Sequence, residues 1–116
     1  GEKVIFDIDW QGTRQIINKK LKYKIITIFI LPPSKKELFN RLLKRDKKDK
    51  KIASERMKQF KSDVMHWKDY NLTVVNDKVE KCYKEIINFI KKQKKQNKNL
   101  TYDKRLIKNH IKELIN

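Results

Sequence analysis

Val4-Ile5-Phe6-Asp7-Ile8-Asp9-Trp10-Gln11-Gly12 is an apolar run that closes on two carboxylates and a Gln-Gly turn. Read as a strand, it sends Asp7 and Asp9 to one face, because side chains two residues apart point the same way. Paired carboxylates at the end of a strand suit a hydrated Mg²⁺ or a charged nucleotide group and point toward phosphoryl transfer. A strand that simply ends in a polar turn accounts for this segment equally well, since short motifs also match by chance.

Two further apolar runs of strand length follow, Ile25 to Leu31 and Leu72 to Val75. The three runs alternate with helical patterns, which predicts βαβ units and a parallel sheet covered on both faces, an α/β fold. Thr13 to Lys20 reads as a helix with Ile16, Ile17 and Leu21 on one stripe. Ser34 to Arg45 carries a stronger signature: Pro32-Pro33 keep the approach extended, and Ser34 with Glu37 makes a capping box. Leu38, Phe39 and Leu42 would then face the sheet. Asp46 to Lys51 is a charged break, after which Ile52 to Trp67 resumes a helix bearing Met57, Phe60 and Val64. Val79 to Lys91 is helical again, with Val79, Tyr83, Ile86, Ile87 and Ile90 expected on its inner side. Lys91 to Lys98 holds only Lys, Gln and Asn and reads as a solvated helix end or linker. Leu100 to Ile115 then forms an amphipathic helix through Leu106, Ile107, Ile111, Leu114 and Ile115, expected to pack back on the domain, with a partner-binding helix as the alternative.

The bulk numbers bound the answer. At 116 residues the chain is one domain at most. With 31 Lys and Arg against 14 Asp and Glu, the formal charge of +17 favours phosphate-bearing partners. The lysines are spread over every segment and are not gathered on one element, which argues for compositional drift over nucleic-acid binding. Cys82 is the only cysteine, so no intramolecular disulfide forms, and a packed thiol in a reducing, cytoplasmic setting is expected. No apolar run reaches the 18 or more residues of a membrane span. The chain starts at Gly1 without an initiator Met and without a signal-peptide pattern, from which we expect a piece of a longer polypeptide.

Taken in order, Asp7-x-Asp9-x-Gln11-Gly12, the strand ending in Pro32-Pro33-Ser34, the helix with Arg41-Leu42 and Arg45, the further Arg56, and Val74-Val75-Asn76-Asp77 resemble the C-terminal half of a guanylate kinase. The resemblance covers about residues 1–95, with a lid at about 41–60, and leaves 96–116 as a basic linker and C-terminal helix. It implies a P-loop nucleoside-monophosphate-kinase-like parallel sheet flanked by helices, incomplete because only the C-terminal portion is present. It also implies a parent enzyme that moves the γ-phosphoryl of ATP to GMP with Mg²⁺, giving ADP and GDP. Arg41 and Arg45 would contact the donor phosphates, and Arg56 would join them on lid closure. Asp7, Asp9, Gln11 and Gly12 would serve the GMP and metal side, with Asp7 or Asp9 reaching the metal through water. Asn76 and Asp77 would lie beside the adenine of ATP, although Asn-Asp ahead of a helix also makes an N-cap.

Arginine suits this role because its planar fork matches phosphate oxygens bidentately, whereas lysine is a point charge. The alternative, an isolated solvated RxxxR pair, is outweighed by the agreement among motifs. The chain also departs from the family. Arg45 is followed by Asp46-Lys47-Lys48-Asp49-Lys50-Lys51, where the family carries a glycine and acidic residues, so a hinge residue is lost and the local charge reversed. The 116 residues contain neither a GxxxxGKS/T phosphate loop nor the guanine-reading set, both of which belong to the family's N-terminal half, so the isolated piece is expected to be inactive. A non-catalytic guanylate-kinase-like protein-binding module is the alternative, with a basic nucleic-acid-binding protein third. His66 and His110 have no partners at zinc spacing, and Trp10 is expected either to line the site or to pack.

Overall fold

The computed structural model describes residues 4–45, 49–96 and 104–115. Within them lie helix α1 (Trp10–Asn18), strand β1 (Ile28–Leu31), helices α2 (Lys35–Arg45) and α3 (Lys50–Val64), a 3₁₀ turn at Trp67–Asp69, strand β2 (Leu72–Val75), and helices α4 (Val79–Gln96) and α5 (Lys104–Ile115). β1 and β2 pair in parallel, Ile28 opposite Leu72 through Leu31 opposite Val75. The α2–α3 excursion between them is the crossover that parallel strands require. The expected α/β class is therefore what the chain adopts.

Side-chain alternation divides the core in two. Phe29, Leu31 and Val75 turn to the face shared with Phe60, Val64, Trp67, Ile107, Ile111 and Leu114. Ile28, Leu72 and Val74 turn to the other face, where Cys82, Ile86 and Phe89 of α4 cover them. The register is fixed at both ends of the pair. Asn71 Oδ1 accepts from Thr27 N at 2.8 Å and Thr27 Oγ1 accepts from Asn71 N at 2.9 Å. At the far end Asn76 N donates to Leu31 O at 2.8 Å.

Several expectations change. Val4 to Asp9 is not a strand: it is irregular, with Ile5 94% and Phe6 64% exposed. A lone strand gains no ladder hydrogen bonds, and among the described residues β1 is paired only with β2. α1 begins at Trp10, three residues earlier than the sequence predicts, because the Asp9 carboxylate caps it. Ile17 and Leu21 are exposed, and Thr13 is its buried residue. α3 begins at Lys50, where Asp49 Oδ1 accepts from the amides of Lys51 and Ile52, and it stops at Val64. Trp67 belongs to the following 3₁₀ turn and is nearly fully buried.

In α4 the inward face is Cys82, Ile86, Phe89 and Gln93, while Val79 and Tyr83 are exposed. A helical stripe is only about 100° wide, and the side that meets the short sheet lies next to the Val79–Tyr83 edge. α4 also runs on through Gln96, past the expected linker start, carried by Lys and Gln, which are good helix formers. α5 packs on α2 and β2 through Ile107, Ile111 and Leu114, while Leu106 is exposed. His110 Nε2 lies 2.8 Å from Pro32 O and ties α5 to the end of β1. The Asp46–Lys48 part of the expected lid, and Asn97 to Asp103 of the expected linker and helix start, lie outside the described residues.

Candidate functional site

The acidic turn is built around the cap of α1. Asp9 is extended (φ −76°, ψ 178°), and its Oδ1 accepts from Gly12 N at 2.8 Å. Its carbonyl accepts from both Thr13 N and Thr13 Oγ1 at 2.9 Å. A Cβ on Gly12 would stand 3.3 Å from Asp9 Oδ1 and from Ile8 Cβ, so glycine relieves crowding at this close turn. Asp7 and Gln11 are exposed. The same-face argument for Asp7 and Asp9 fails with the strand that carried it. What holds Asp9 is the helix start, with one carboxylate oxygen engaged as a cap.

Aromatic rings anchor this turn to the domain. The Trp10 indole stacks on His66, with centroids 4.7 Å apart and planes 13° apart, and leans on Tyr70 at 5.5 Å. Tyr70 meets Phe29 of β1 edge-on at 4.9 Å. Of the two roles expected for Trp10, packing is therefore the observed one. Burial pushes the Tyr70 phenol above its ordinary pKa, a side-chain hydrogen bond with Thr13 opposes the rise, and the carboxylates of Asp63 and Asp9 add to it. The folded chain thus holds this proton more tightly than the unfolded chain. The resulting stability is whole below the unfolded value of ~10 and is lost as pH climbs through the higher folded value. Urea midpoints measured above pH ~10 should therefore fall more steeply in the native chain than in Tyr70→Phe.

The arginines sit on the helical hairpin between the strands. Ser34 Oγ accepts from Glu37 N at 3.0 Å, which gives half of the capping box. The Glu37 side chain turns forward instead and pairs with Arg41, Nε to Oε1 at 3.1 Å. Both partners are about half exposed (51% and 45%), so the pair is worth little and can yield to a phosphate. Arg45 is exposed one helical turn beyond Arg41, and Arg56 is exposed on α3, which packs against α2.

Asn76 and Asp77 leave the C-terminal end of β2, the end at which open α/β sheets bind ligands. Asn76 Oδ1 is buried without a hydrogen-bond partner, an uncommon state for an amide oxygen. Asp77 is exposed. Neither residue caps α4, whose first residue is Val79, because the cap position falls on Lys78. The acidic turn is anchored at Tyr70, ahead of β2, whereas Asn76 and Asp77 follow it. The strand itself spans about 13 Å. The structure therefore sets the Asp9 turn and the Asn76 turn toward opposite ends of β2. The sequence marks His66-Trp67 ahead of Tyr70 as a helix end with an aromatic anchor, but Trp10 and Phe29 lie far away in the chain, and only folding brings their rings to His66 and Tyr70.

Comparison with known proteins bears on this arrangement. The guanylate kinase family model matches residues 1–93. The guanylate kinase of Mesorhizobium japonicum is 40% identical over 86 residues, 74% of this chain and 39% of that protein. That of Buchnera aphidicola subsp. Baizongia pistaciae is 43% identical over 91 residues, 78% of this chain and 43% of that protein. That of a Ruegeria species is 35% identical over 117 residues, 98% of this chain and 54% of that protein. The last match carries the likeness beyond residue 95, where the sequence motifs stop. The chain spans about two fifths to one half the length of these curated relatives. With the family model covering residues 1–93, the chain belongs to the guanylate kinase family.

Proposed function

We propose that these 116 residues are the lid-bearing, C-terminal part of a cytoplasmic guanylate kinase whose whole chain transfers the γ-phosphoryl of ATP to GMP, releasing ADP and GDP. The observation that carries this reading is the arginine arrangement on the crossover. Arg41 and Arg45 sit one turn apart on α2, and Arg56 sits on the helix packed against it. Phosphoryl transfer asks for positioned cations around moving charge, and three arginines on one helical hairpin supply them. In this reading Arg41 and Arg45 hold the donor phosphates and Arg56 completes the set.

Asp7, Asp9, Gln11 and Gly12 form the acceptor side. Exposed Asp7 and the second oxygen of Asp9 are hard oxygen donors, a set that fits Mg²⁺ kept largely hydrated and shared with nucleotide phosphates. Among the described residues no cluster of three or more His, Cys, Asp or Glu could hold a metal unaided. When bound, the ion would neutralise charge on the phosphates, and Asp7 or Asp9 would orient it through water. Asn76 presents its unsatisfied amide oxygen on the ATP side, with Asp77 beside it. The buried, unpaired Cys82 suits a reducing compartment. Among the described residues no helix is long and apolar enough to cross a membrane.

The 116 residues lack the phosphate loop, so alone they should release no ADP from ATP and GMP. Joining them to the N-terminal portion of the Buchnera relative should give GMP-dependent ADP formation in a coupled assay. Well-folded joined protein without turnover would reject the reading and favour a binding module.

A further inference from the structure

α5 begins at Lys104, beyond residue 93 where the match to the family model ends. Its buried stripe is Ile107, Ile111 and Leu114, and His110 falls on the same face, one turn after Ile107 and one turn before Leu114. A polar ring on such a stripe requires a polar partner. His110 Nε2 has one in Pro32 O at 2.8 Å, and because a carbonyl oxygen only accepts, Nε2 carries the proton of this bond.

The place of that carbonyl gives the bond its consequence. The β1–β2 ladder closes one residue earlier, where Asn76 N donates to Leu31 O. Pro32 and Pro33 have no amide N–H, so neither can donate to β2 or within the turn. α2 follows at once, with Ser34 Oγ accepting from Glu37 N and Ser34 O from Leu38 N, both at 3.0 Å. The His110 bond thus grips the turn between the end of the ladder and the cap of α2, from a helix that packs on both α2 and β2.

We infer that His110 is a positioning residue for the donor side, pinning the β1–α2 turn so that α2 presents Arg41 and Arg45 to the donor phosphates in one orientation. This rests on the proposed donor role of Arg41 and Arg45. His110 touches no substrate and acts through Pro32 O and the start of α2. Deleting its N–H should therefore loosen that start while the apolar contacts of α5 persist.

Two measurements separate this inference from the reading beneath it. In the 116-residue chain, His110→Leu removes the donor and keeps a side chain of similar bulk. Exchange of the Glu37 and Leu38 amides, both bonded to Ser34, should quicken about fivefold, the effect of one neutral hydrogen bond. Exchange at Thr13 and Cys82, whose amides bond Asp9 O and Lys78 O, should not change. His110→Gln restores an N–H donor of similar reach and should return Glu37 and Leu38 to the native rate. In the enzyme joined to the Buchnera N-terminal portion, His110→Leu should raise KM for ATP about fivefold while KM for GMP stays within about twofold, and His110→Gln should stay near the native values. Unchanged exchange at Glu37 and Leu38, equal quickening at Thr13 and Cys82, or no recovery in His110→Gln overturns the tether whatever the activity. Quicker exchange confined to Glu37 and Leu38, with both KM values rising together or neither, overturns the donor-side role. A folded joined enzyme without GMP-dependent turnover rejects the kinase reading and the donor-side role with it, and the exchange data then decide the tether by themselves.

Discussion

Replacing Arg41 by alanine in the joined enzyme is expected to lower kcat/KM for ATP by about 10²- to 10³-fold, with the fold intact. An arginine that meets charge developing on a transferred phosphoryl group is commonly worth at least this much. The ground-state structure shows why stability should not follow. Arg41 is half exposed and bonded through Nε to Glu37, a surface pair worth ~1 kcal/mol or less. Glu37→Ala removes the same ion pair but leaves the guanidinium, so its activity should stay near that of the native sequence. Arg41→Lys keeps the charge and loses the fork, and should recover only part of the rate. Equal losses in Glu37→Ala and Arg41→Ala would show that the pair matters as a structural contact and would remove Arg41 from the donor site.

Leu114→Ala should cost about 3 kcal/mol of stability, among the largest effects available to a single apolar truncation. Leu114 is 1% exposed in the cluster with Leu31, Val64, Trp67, Ile107 and Ile111. For a domain this small such a loss is a large part of the whole. Leu106, on the same helix, is 66% exposed, and Leu106→Ala should shift stability by less than about 0.5 kcal/mol. Urea denaturation of the two variants compares them directly. Similar midpoints for both would mean that α5 is not part of the cooperative core. A further arm truncates the chain ahead of Lys104, which should unfold at lower urea than either point variant.

Much of the architecture was legible because it rests on local rules. The apolar run ending in Pro32-Pro33 and the Leu72–Val75 run both hold strands, and mainly apolar segments are what strands of a covered parallel sheet require; β2 is covered on both faces, whereas Ile30 of β1 is 50% exposed. The start of α2 was readable from Ser34, and the inward positions Ile107, Ile111 and Leu114 of α5 from their spacing. What failed depended on partners distant in sequence. Val4 to Asp9 has strand composition, yet a strand exists only with a neighbour. Val79 and Tyr83 fit an apolar stripe, but the sheet covers the adjoining side of α4. Residue type singled out Arg41, Arg45 and Arg56 as candidates, while the anchoring of Asp9 by Thr13 and of Trp10 by His66 and Tyr70 could not be read from spacing. The orphaned amide oxygen of Asn76 likewise emerges only after folding, when Leu31 takes the backbone amide and the side-chain oxygen is left enclosed.

The lysine-rich stretch after Arg45 leads directly into the next helix. Where the family carries glycine and acids, this chain begins α3 at once from the Asp49 cap, whose carboxylate takes two amides. Lys50 and Lys51 on the first turn of α3, with Arg45 at the end of α2, raise the local positive potential, which would attract the phosphates of the proposed substrates.

The central claim concerns group transfer to a guanine nucleotide, and product stoichiometry tests it most directly. ADP and GDP should be quantified together from ATP, GMP and Mg²⁺ with the joined enzyme, using AMP and UMP as alternative acceptors. The account expects ADP and GDP in equal amounts and no comparable turnover with AMP or UMP. ADP released without GDP, or no ADP from a folded joined protein, would contradict it.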